Sequence, residues 1–537
     1  MKTLCRTFVF LLCIFVYSLQ LSAADDGYQF RGGVCLLRGQ IKNMPGQEMP
    51  KMFTIHLKNL FLDEEANYLV HVNSDGTFQE NVTLPHSQFA FWSNKANVFL
   101  MVGDTVDVVY DAGKGLEFLG NNVTAQVNRY YPMLRKKFLS AYRQFPDERA
   151  SNQVYEDFID FNFQVFEKIK KDIDKSLPAD CMPLTRNILK ASLLSAPLVN
   201  VFEARENHKW TQYIKKSDTE WMTNESYRPL DNKKYFRFLL KNKDSFIDNP
   251  YLVMGADSWL PFNRMDYDIF KNIDDVSDYR LAQQDYFSEN VAWYASDFFL
   301  PKDYDPEFLK QAKALRNDLL FTYSDFIEKQ FQKYNKNTKL GNNFAFQIAL
   351  CHDFRKNTDS NRFHGDRLTE RLIAIIPYIT YPQVRFHLLQ CYRNCIREQE
   401  GTSESQSLEK DSVFQRLISP YAGNVLYVDF WGMSCGPCRV GMLGQREMVE
   451  KLKDKPVKFL YICNVADSPR ESAEAWMKEN NIQGEHIYIS PDDWAYLQAH
   501  FQFTGIPFAL ILDKKGKLLD NLDCNLTVEF FEKLINE

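Results

Sequence analysis

The sequence predicts a multidomain protein: an amino-terminal antiparallel, sandwich-like β-domain (residues 27–119), a central, mostly α-helical domain (120–400) and a carboxy-terminal α/β domain (413–537). Three observations predict this. Apolar residues recur at every second position in the first part, at helical spacing in the second, and in alternating short runs of both kinds in the third. A polar stretch, GTSESQSLEKDS (401–412), lacks apolar periodicity and reads as a linker between the second and third parts. The 537 residues exceed what one core holds, and a 45% hydrophobic content supplies material for several.

Ahead of these parts, residues 1–24 read as a secretory signal peptide. Lys2 and Arg6 form a basic start, Phe8 to Val16 is an unbroken apolar run, and Ser22-Ala23-Ala24 offers small residues for cleavage near Ala24. An uncleaved anchor is the alternative, although the run is short for a spanning helix. Nine of the eleven cysteines remain once Cys5 and Cys13 of this segment are set aside, too few for a disulfide scaffold of this length. A net charge of -6 lacks the basic excess of a nucleic-acid binder, so no nucleic-acid partner is expected.

In the β-domain, Phe53, Ile55 and Leu57 interleave with Thr54, His56 and Lys58. Val106, Val108 and Tyr110 do the same with Asp107 and Val109, and Asp75-Gly76 and Gly103-Asp104 supply turns. Cys35 reads as a small buried apolar residue. In the helical domain, Ile159, Phe166, Ile169 and Ile173 mark one helical face, and Phe308, Ala312, Leu315, Leu319 and Phe326 mark another. The many aromatics (27 Tyr and 43 Phe in the whole chain) are expected to pack between helices. His387, Cys391 and Cys395 share a helical face and look like a ligand stripe. However, the outer two are eight residues apart, about 12 Å along a helix, too far for one zinc ion. Core packing is expected there, with Cys351-His352 the one other pair that could join the stripe as a metal or redox site.

After the linker, Val425 to Phe430 reads as a buried strand, Arg439 to Lys453 as a helix and Val457 to Val465 as a second strand. Ser468-Pro469-Arg470-Glu471 and Ser490-Pro491-Asp492-Asp493 both read as helix starts capped by serine. Phe508 to Asp513 and Lys517 to Leu522 read as two strands around Lys515-Gly516, and Thr527 to Asn536 as a closing helix. The order is β, α, β, α, an α-containing connection, β, β, α.

Within it stands WGMSCGPCR (431–439), where Cys435 leaves a buried strand and starts a helix. A helix N-terminus carries unpaired amide donors and positive partial charge, and both favour thiolate over thiol. Two intervening residues put Cys438 one turn along, close enough to bond. Pro437 falls in the first turn, where its missing N–H is harmless. A zinc half-site uses the same spacing but needs two more ligands; neither Cys463 nor Cys524 has a close Cys or His companion. A reversible dithiol fits the strand–helix context best. No G-x-x-x-x-G-K, G-x-G-x-x-G or H-E-x-x-H sequence suggests nucleotide or protease chemistry.

VDFWGMSCGPCR (428–439) and TGIPF (504–508) closely resemble the thioredoxin superfamily. The long connection from Ser468 to Phe503, with the signal peptide, looks like its exported TlpA/ResA-like branch. The resemblance covers 413–537 and implies an α/β thioredoxin fold there; the earlier parts resemble accessory halves of multidomain envelope proteins in layout only. It implies a cis bond at Ile506-Pro507, with a backbone that pairs with substrate peptide. It makes Cys435 the attacking sulfur and Cys438 the resolving one, with no cofactor beyond their redox-active disulfide. Asp429 falls at the family's buried-carboxylate position, able to move a proton near neutrality. Trp431 is expected to pack beside the active-site loop and, with Gly436 and Pro437, to join Ile506 and Pro507 at the substrate face, and no metal is expected. The chain departs from its relatives at Leu443 (often proline), Gly441 (often glutamate), Ser434 (often aromatic) and Ile462-Cys463 (often a lysine nearby).

Gly-Pro between the cysteines resembles the reducing members, so a reductase of disulfide-containing envelope proteins is expected, in the periplasm or cell envelope, fed by a membrane thiol electron donor. The earlier domains would select substrates or form a homodimer. The alternative is a binding or scaffold protein in which the dithiol domain is secondary.

Overall fold

The computed structural model describes residues 27–43, 48–92, 96–140, 144–146, 150–215, 221–266, 323–358, 366–399, 412–519 and 526–536. The expected signal peptide (residues 1–24), the stripe from Phe308 to Leu319, Cys524 and all of the expected linker but Ser412 lie outside the described residues.

Eight strands come first: β1 (Gly33–Lys42), β2 (Met52–Asn59), β3 (Glu64–His71), β4 (Thr77–Leu84), β5 (Gln88–Trp92), β6 (Ala96–Leu100), β7 (Thr105–Asp111) and β8 (Gly115–Phe118). They form two four-stranded sheets, ordered β4-β1-β7-β8 and β3-β2-β5-β6. Alternate residues of both sheets meet in one core, among them Leu37, Ile55, Leu57, Val70, Val82, Trp92, Val106 and Val108. Cys35 is fully buried in it. Gly76 takes a left-handed φ of +80°, and a Cβ there would lie 2.4 Å from the Ile41 carbonyl oxygen, so the Asp75-Gly76 turn needs glycine. The expectation of a wholly antiparallel domain needs correction. β1 pairs with β7 in parallel, Leu37 opposite Val106. Alternation dictates which residues face a core but carries no information on strand direction.

The central part holds α1 (Val123–Leu139), α2 (Asn152–Ser176), α3 (Pro183–Trp210), a small hairpin of β9 (Tyr213–Lys215) and β10 (Trp221–Thr223), α4 (Asn232–Lys241), α5 (Trp259–Asp266), α6 (Tyr323–Thr338), α7 (Phe344–Thr358), α8 (Asp366–Ile375) and α9 (Pro382–Gln399). Ile159, Phe166, Ile169 and Ile173 are all buried along α2. Aromatics pack between helices, as in the Phe163–Phe238 stack with ring centroids 3.9 Å apart. This core does not stop at the β-domain: Leu60, Phe61 and Leu62, between β2 and β3, are buried in it. Phe61 stacks on His387 at 4.0 Å, and His387 Nε2 donates to the Phe30 carbonyl at 2.7 Å. The His387-Cys391-Cys395 stripe is thus part of the packing, as expected. His352 pairs with Asp266 at 2.7 Å and with the Leu60 carbonyl at 2.9 Å.

The last part comprises α10 (Ser412–Ile418), β11 (Val425–Trp431), α11 (Gly436–Leu452), β12 (Val457–Asn464), α12 (Arg470–Glu479), β13 (Glu485–Ile489), α13 (Pro491–Phe501), β14 (Phe508–Leu512) and α14 (Val528–Asn536). Its sheet is ordered β13-β12-β11-β14, with β11, β12 and β13 parallel and β14 antiparallel to β11. Alternation along the fully buried β11 assigns its two faces. Val425, Tyr427 and Trp431 pack with α11, α12 and α14, whereas Leu426, Val428 and Phe430 pack with α10 and α13. Two expectations change. β13, hidden in the sequence as part of a connection, is a half-buried edge strand. The strand expected at Lys517 to Leu522 amounts, in the described residues, to one bridge between Leu512 and Leu518.

Candidate functional site

β11 delivers the chain to the site and α11 leaves from it. Cys435 is the N-cap of α11, with extended backbone at φ -83° and ψ 96°, and its Sγ accepts the Cys438 N–H at 3.1 Å. That contact gives the sulfur one of the orphan amide donors of a helix start. The Cys435 N–H in turn donates to the Gly432 carbonyl at 3.0 Å, which closes the turn. Cys435 and Cys438 are joined in a disulfide with Cα atoms 5.3 Å apart. Cys435 is 8% exposed and Cys438 2%, so what access exists is to the first sulfur. Pro437 is exposed in the first turn and Gly436 opens α11.

The Ile506-Pro507 bond is cis. It lies beside the dithiol loop: a Cβ on Gly432 would sit 3.2 Å from Ile506 Cδ1 and 3.3 Å from Ser468 Oγ. Gly432 is therefore where three segments meet, and glycine lets them approach. Ser468 corrects the sequence reading. Pro469, not Ser468, occupies the N-cap position of α12, and the fully buried Ser468 instead accepts the Met433 N–H at 2.8 Å. A serine before proline carries the signature of a cap, and no local signal reports a partner 35 residues away.

Asp429 lies on the β11 face that carries Tyr427 and Trp431, the face packed against α11, and is 5% exposed. Burial alone pushes its carboxyl up to about 7. Burial, followed by the charge of Asp429, raises the Tyr427 hydroxyl to about 12 and also raises that of Tyr461. Cys463, opposite Trp431 on β12, is fully buried, and burial pushes its thiol up to about 11. Trp431 needs its role restated. At 1% exposed, its ring lies under the site against Trp476, centroids 5.8 Å apart, and cannot itself touch a substrate at the surface. Among the described residues no group of three or more His, Cys, Asp or Glu is placed to hold a metal ion, and no helix is long and apolar enough to cross a membrane.

No family model matches the chain. Among curated proteins it is similar to thiol-disulfide oxidoreductase ResA of Bacillus cereus, 22% identical over 174 residues, covering 32% of this chain and 96% of the relative. ResA of Bacillus thuringiensis matches to the same extent. Among solved structures it is similar to the thioredoxin domain of a thiol-disulfide oxidoreductase from Bacteroides vulgatus (20% identity, 22% of this chain and 84% of that one, TM-score 0.21). StoA from Bacillus subtilis is comparable (19%, 22% and 85%, TM-score 0.19). The carboxy-terminal part of the chain, which carries the Cys-Gly-Pro-Cys disulfide at a helix start, is thus similar to TlpA/ResA-like thiol-disulfide oxidoreductases of the thioredoxin superfamily.

Proposed function

We propose that the protein is an exported thiol–disulfide oxidoreductase that reduces disulfides in envelope proteins. The observation that carries this reading is the sulfur of Cys435, which accepts a helix-start N–H while closed in a disulfide with Cys438. The same N–H favours the Cys435 thiolate once the disulfide is reduced. That thiolate attacks one sulfur of a substrate disulfide; a bond forms from Cys435 to the substrate, and the substrate's other sulfur leaves as a thiolate. Cys438 loses its proton and attacks the Cys435 sulfur, the second substrate thiolate leaves, and the Cys435–Cys438 disulfide is restored. The two electrons delivered to the substrate come from the dithiol, and a membrane thiol carrier is the donor that re-reduces it. Asp429 is the group suited to take the Cys438 proton, since a carboxyl near 7 is balanced between its two forms at neutral pH. Ile506, Pro507, Gly436 and Pro437 form the face on which a substrate peptide lies, with Trp431 as its floor.

The test uses the reduced full chain and insulin as the disulfide substrate. Wild type accelerates reduction and Cys435→Ser abolishes it, while Cys438→Ser accumulates a mixed disulfide through Cys435. A wild-type protein that leaves insulin untouched, or a Cys435→Ser variant that retains the rate, sinks the reading. A reduction potential in the range of the strong oxidants would reverse the direction of electron flow.

A further inference from the structure

The loop that carries the cis bond is held from outside its own domain. β3 is the edge strand of its sheet and would present unpaired backbone groups. Its Asn67 is instead engaged on all sides. The Asn67 N–H donates to Gln502 Oε1 at 2.9 Å, and Gln502 Nε2 donates back to the Asn67 carbonyl at 3.2 Å. A side-chain amide thus pairs with the edge as a neighbouring strand would. The Asn67 carboxamide donates to the Gln498 carbonyl at 2.9 Å and the Phe503 carbonyl at 2.6 Å, and its Oδ1 pairs with His56 Nδ1. Asn67 is 6% exposed, so each of these bonds would be costly to leave unmade.

These contacts converge on Thr504–Pro507. Gln502, at the end of α13, sits in the left-handed region at φ +54°, where the chain turns out of the helix into that loop. Phe503 and Phe508 bracket the loop and stack on each other at 4.5 Å, so fixing the Phe503 carbonyl fixes both of its ends. Thr504 Oγ1 bonds the Glu65 carboxylate, which also takes Lys58 Nζ at 2.8 Å. At the other end of α13, the Lys51 N–H donates to Asp492 at 3.2 Å. Ile506, at the far end of the loop, reaches Gly432 beside the dithiol.

We infer that Asn67, a residue of the β-sandwich, is a positioning residue for thiol–disulfide exchange: it sets the Thr504–Pro507 loop opposite Cys435 so that a protein substrate can lie along it. This rests on the reading of Cys435–Cys438 as an exchange site. A substrate that uses the loop backbone depends on this clamp, whereas a small disulfide that needs only the Cys435 sulfur does not. The β-domain is, on this account, part of the substrate site and not a tethered accessory.

The experiment compares Asn67→Ala and Gln502→Ala with wild type in the full chain, on two oxidised substrates, insulin and dithiobis(nitrobenzoate). Asn67→Ala is expected to lower kcat/KM for insulin at least tenfold, mainly through KM, and to change the rate with the small disulfide less than twofold; Gln502→Ala lowers the insulin value about threefold. Should Asn67→Ala fail to fold, Gln502→Ala, at an exposed position, decides by the same split. An insulin rate that is unchanged, or that falls in step with the small-disulfide rate, overturns the inference while leaving the exchange reading intact. A wild-type protein inactive on both substrates removes the exchange reading and this inference with it.

Discussion

Among the described residues two pairs of cysteines lie close in sequence, and one of them is joined in a disulfide. Cys435 and Cys438 are three residues apart at the start of α11; Cys391 and Cys395 are four apart in the interior of α9. Both pairs are buried, at 8% and 2% against 3% and 6%, so exposure alone does not separate them. The hydrogen-bonding state of the backbone does. At the start of α11 an amide N–H is left over and turns to the Cys435 sulfur. Inside α9 the amides are spent on the helix itself, and the bond with Cys395, followed by burial, pushes the Cys391 thiol far up. Two sulfurs within reach of each other are thus not sufficient for redox chemistry. They also need a donor that stabilises the charge created when one of them leaves.

Alkylation of the reduced, native chain tests that contrast most directly. Cys435 is expected to react at least ~100-fold faster than Cys391 and Cys395, because only the thiolate is a nucleophile and the helix start favours that form at Cys435. Peptide mapping by mass spectrometry after short exposure to iodoacetamide reads this out. Unfolding in denaturant should bring the sites to similar rates. Comparable native labelling of Cys391 would break the comparison.

Asp429 sharpens it from below the sheet. Burial raises this carboxyl from 3.8 to about 7, so the folded chain binds its proton more tightly than the unfolded chain does. The sign follows: the neutral acid leaves stability intact below about pH 4, and stability falls as pH rises through about 7, by at most about 4 kcal/mol. Asp429→Asn removes this slope. Urea midpoints measured at pH 5 and pH 9 should diverge for wild type and coincide for the variant, as far as this group is concerned. The same variant should slow insulin reduction at neutral pH roughly tenfold, the low side of what proton transfer contributes. An unchanged pH slope would show that the carboxyl is ionised and compensated in the fold.

Much of this was legible in the residues. The dithiol and its place at the strand end follow from one short motif beside a buried apolar run, whereas the buried carboxylate of Asp429 and the loop around Pro507 were expected only from the resemblance to the thioredoxin superfamily. The parallel pairing of β1 with β7 and the edge strand β13 did not, since alternation is the same for either direction and EHIYI is short and half-buried. The contacts of Asn67 with Gln498, Gln502 and Phe503 span more than 430 positions. No local pattern announces such a partner, because any exposed-looking Asn on an edge strand has the same signature. Trp431 shows the converse: a residue that a family pattern places at a substrate face is buried under it.

Ser468 supplies the smallest effect and the finest test of why the α11 pair differs. Its hydroxyl is the acceptor for the Met433 N–H, one residue beyond the glycine on which a Cβ would crowd Ile506. Ser468→Ala leaves that half-buried donor without a partner, at a cost of about 1–2 kcal/mol, and a lower thermal midpoint is expected. The loss is local to the turn that presents Cys435. Alkylation of Cys435 should therefore change by a few-fold while labelling of Cys391 and Cys395 stays where it was, because α9 holds its cysteines by its own backbone and owes nothing to that turn. If all three sites shift together, the serine supports the fold in general, and the geometry of the dithiol is fixed by the helix start alone.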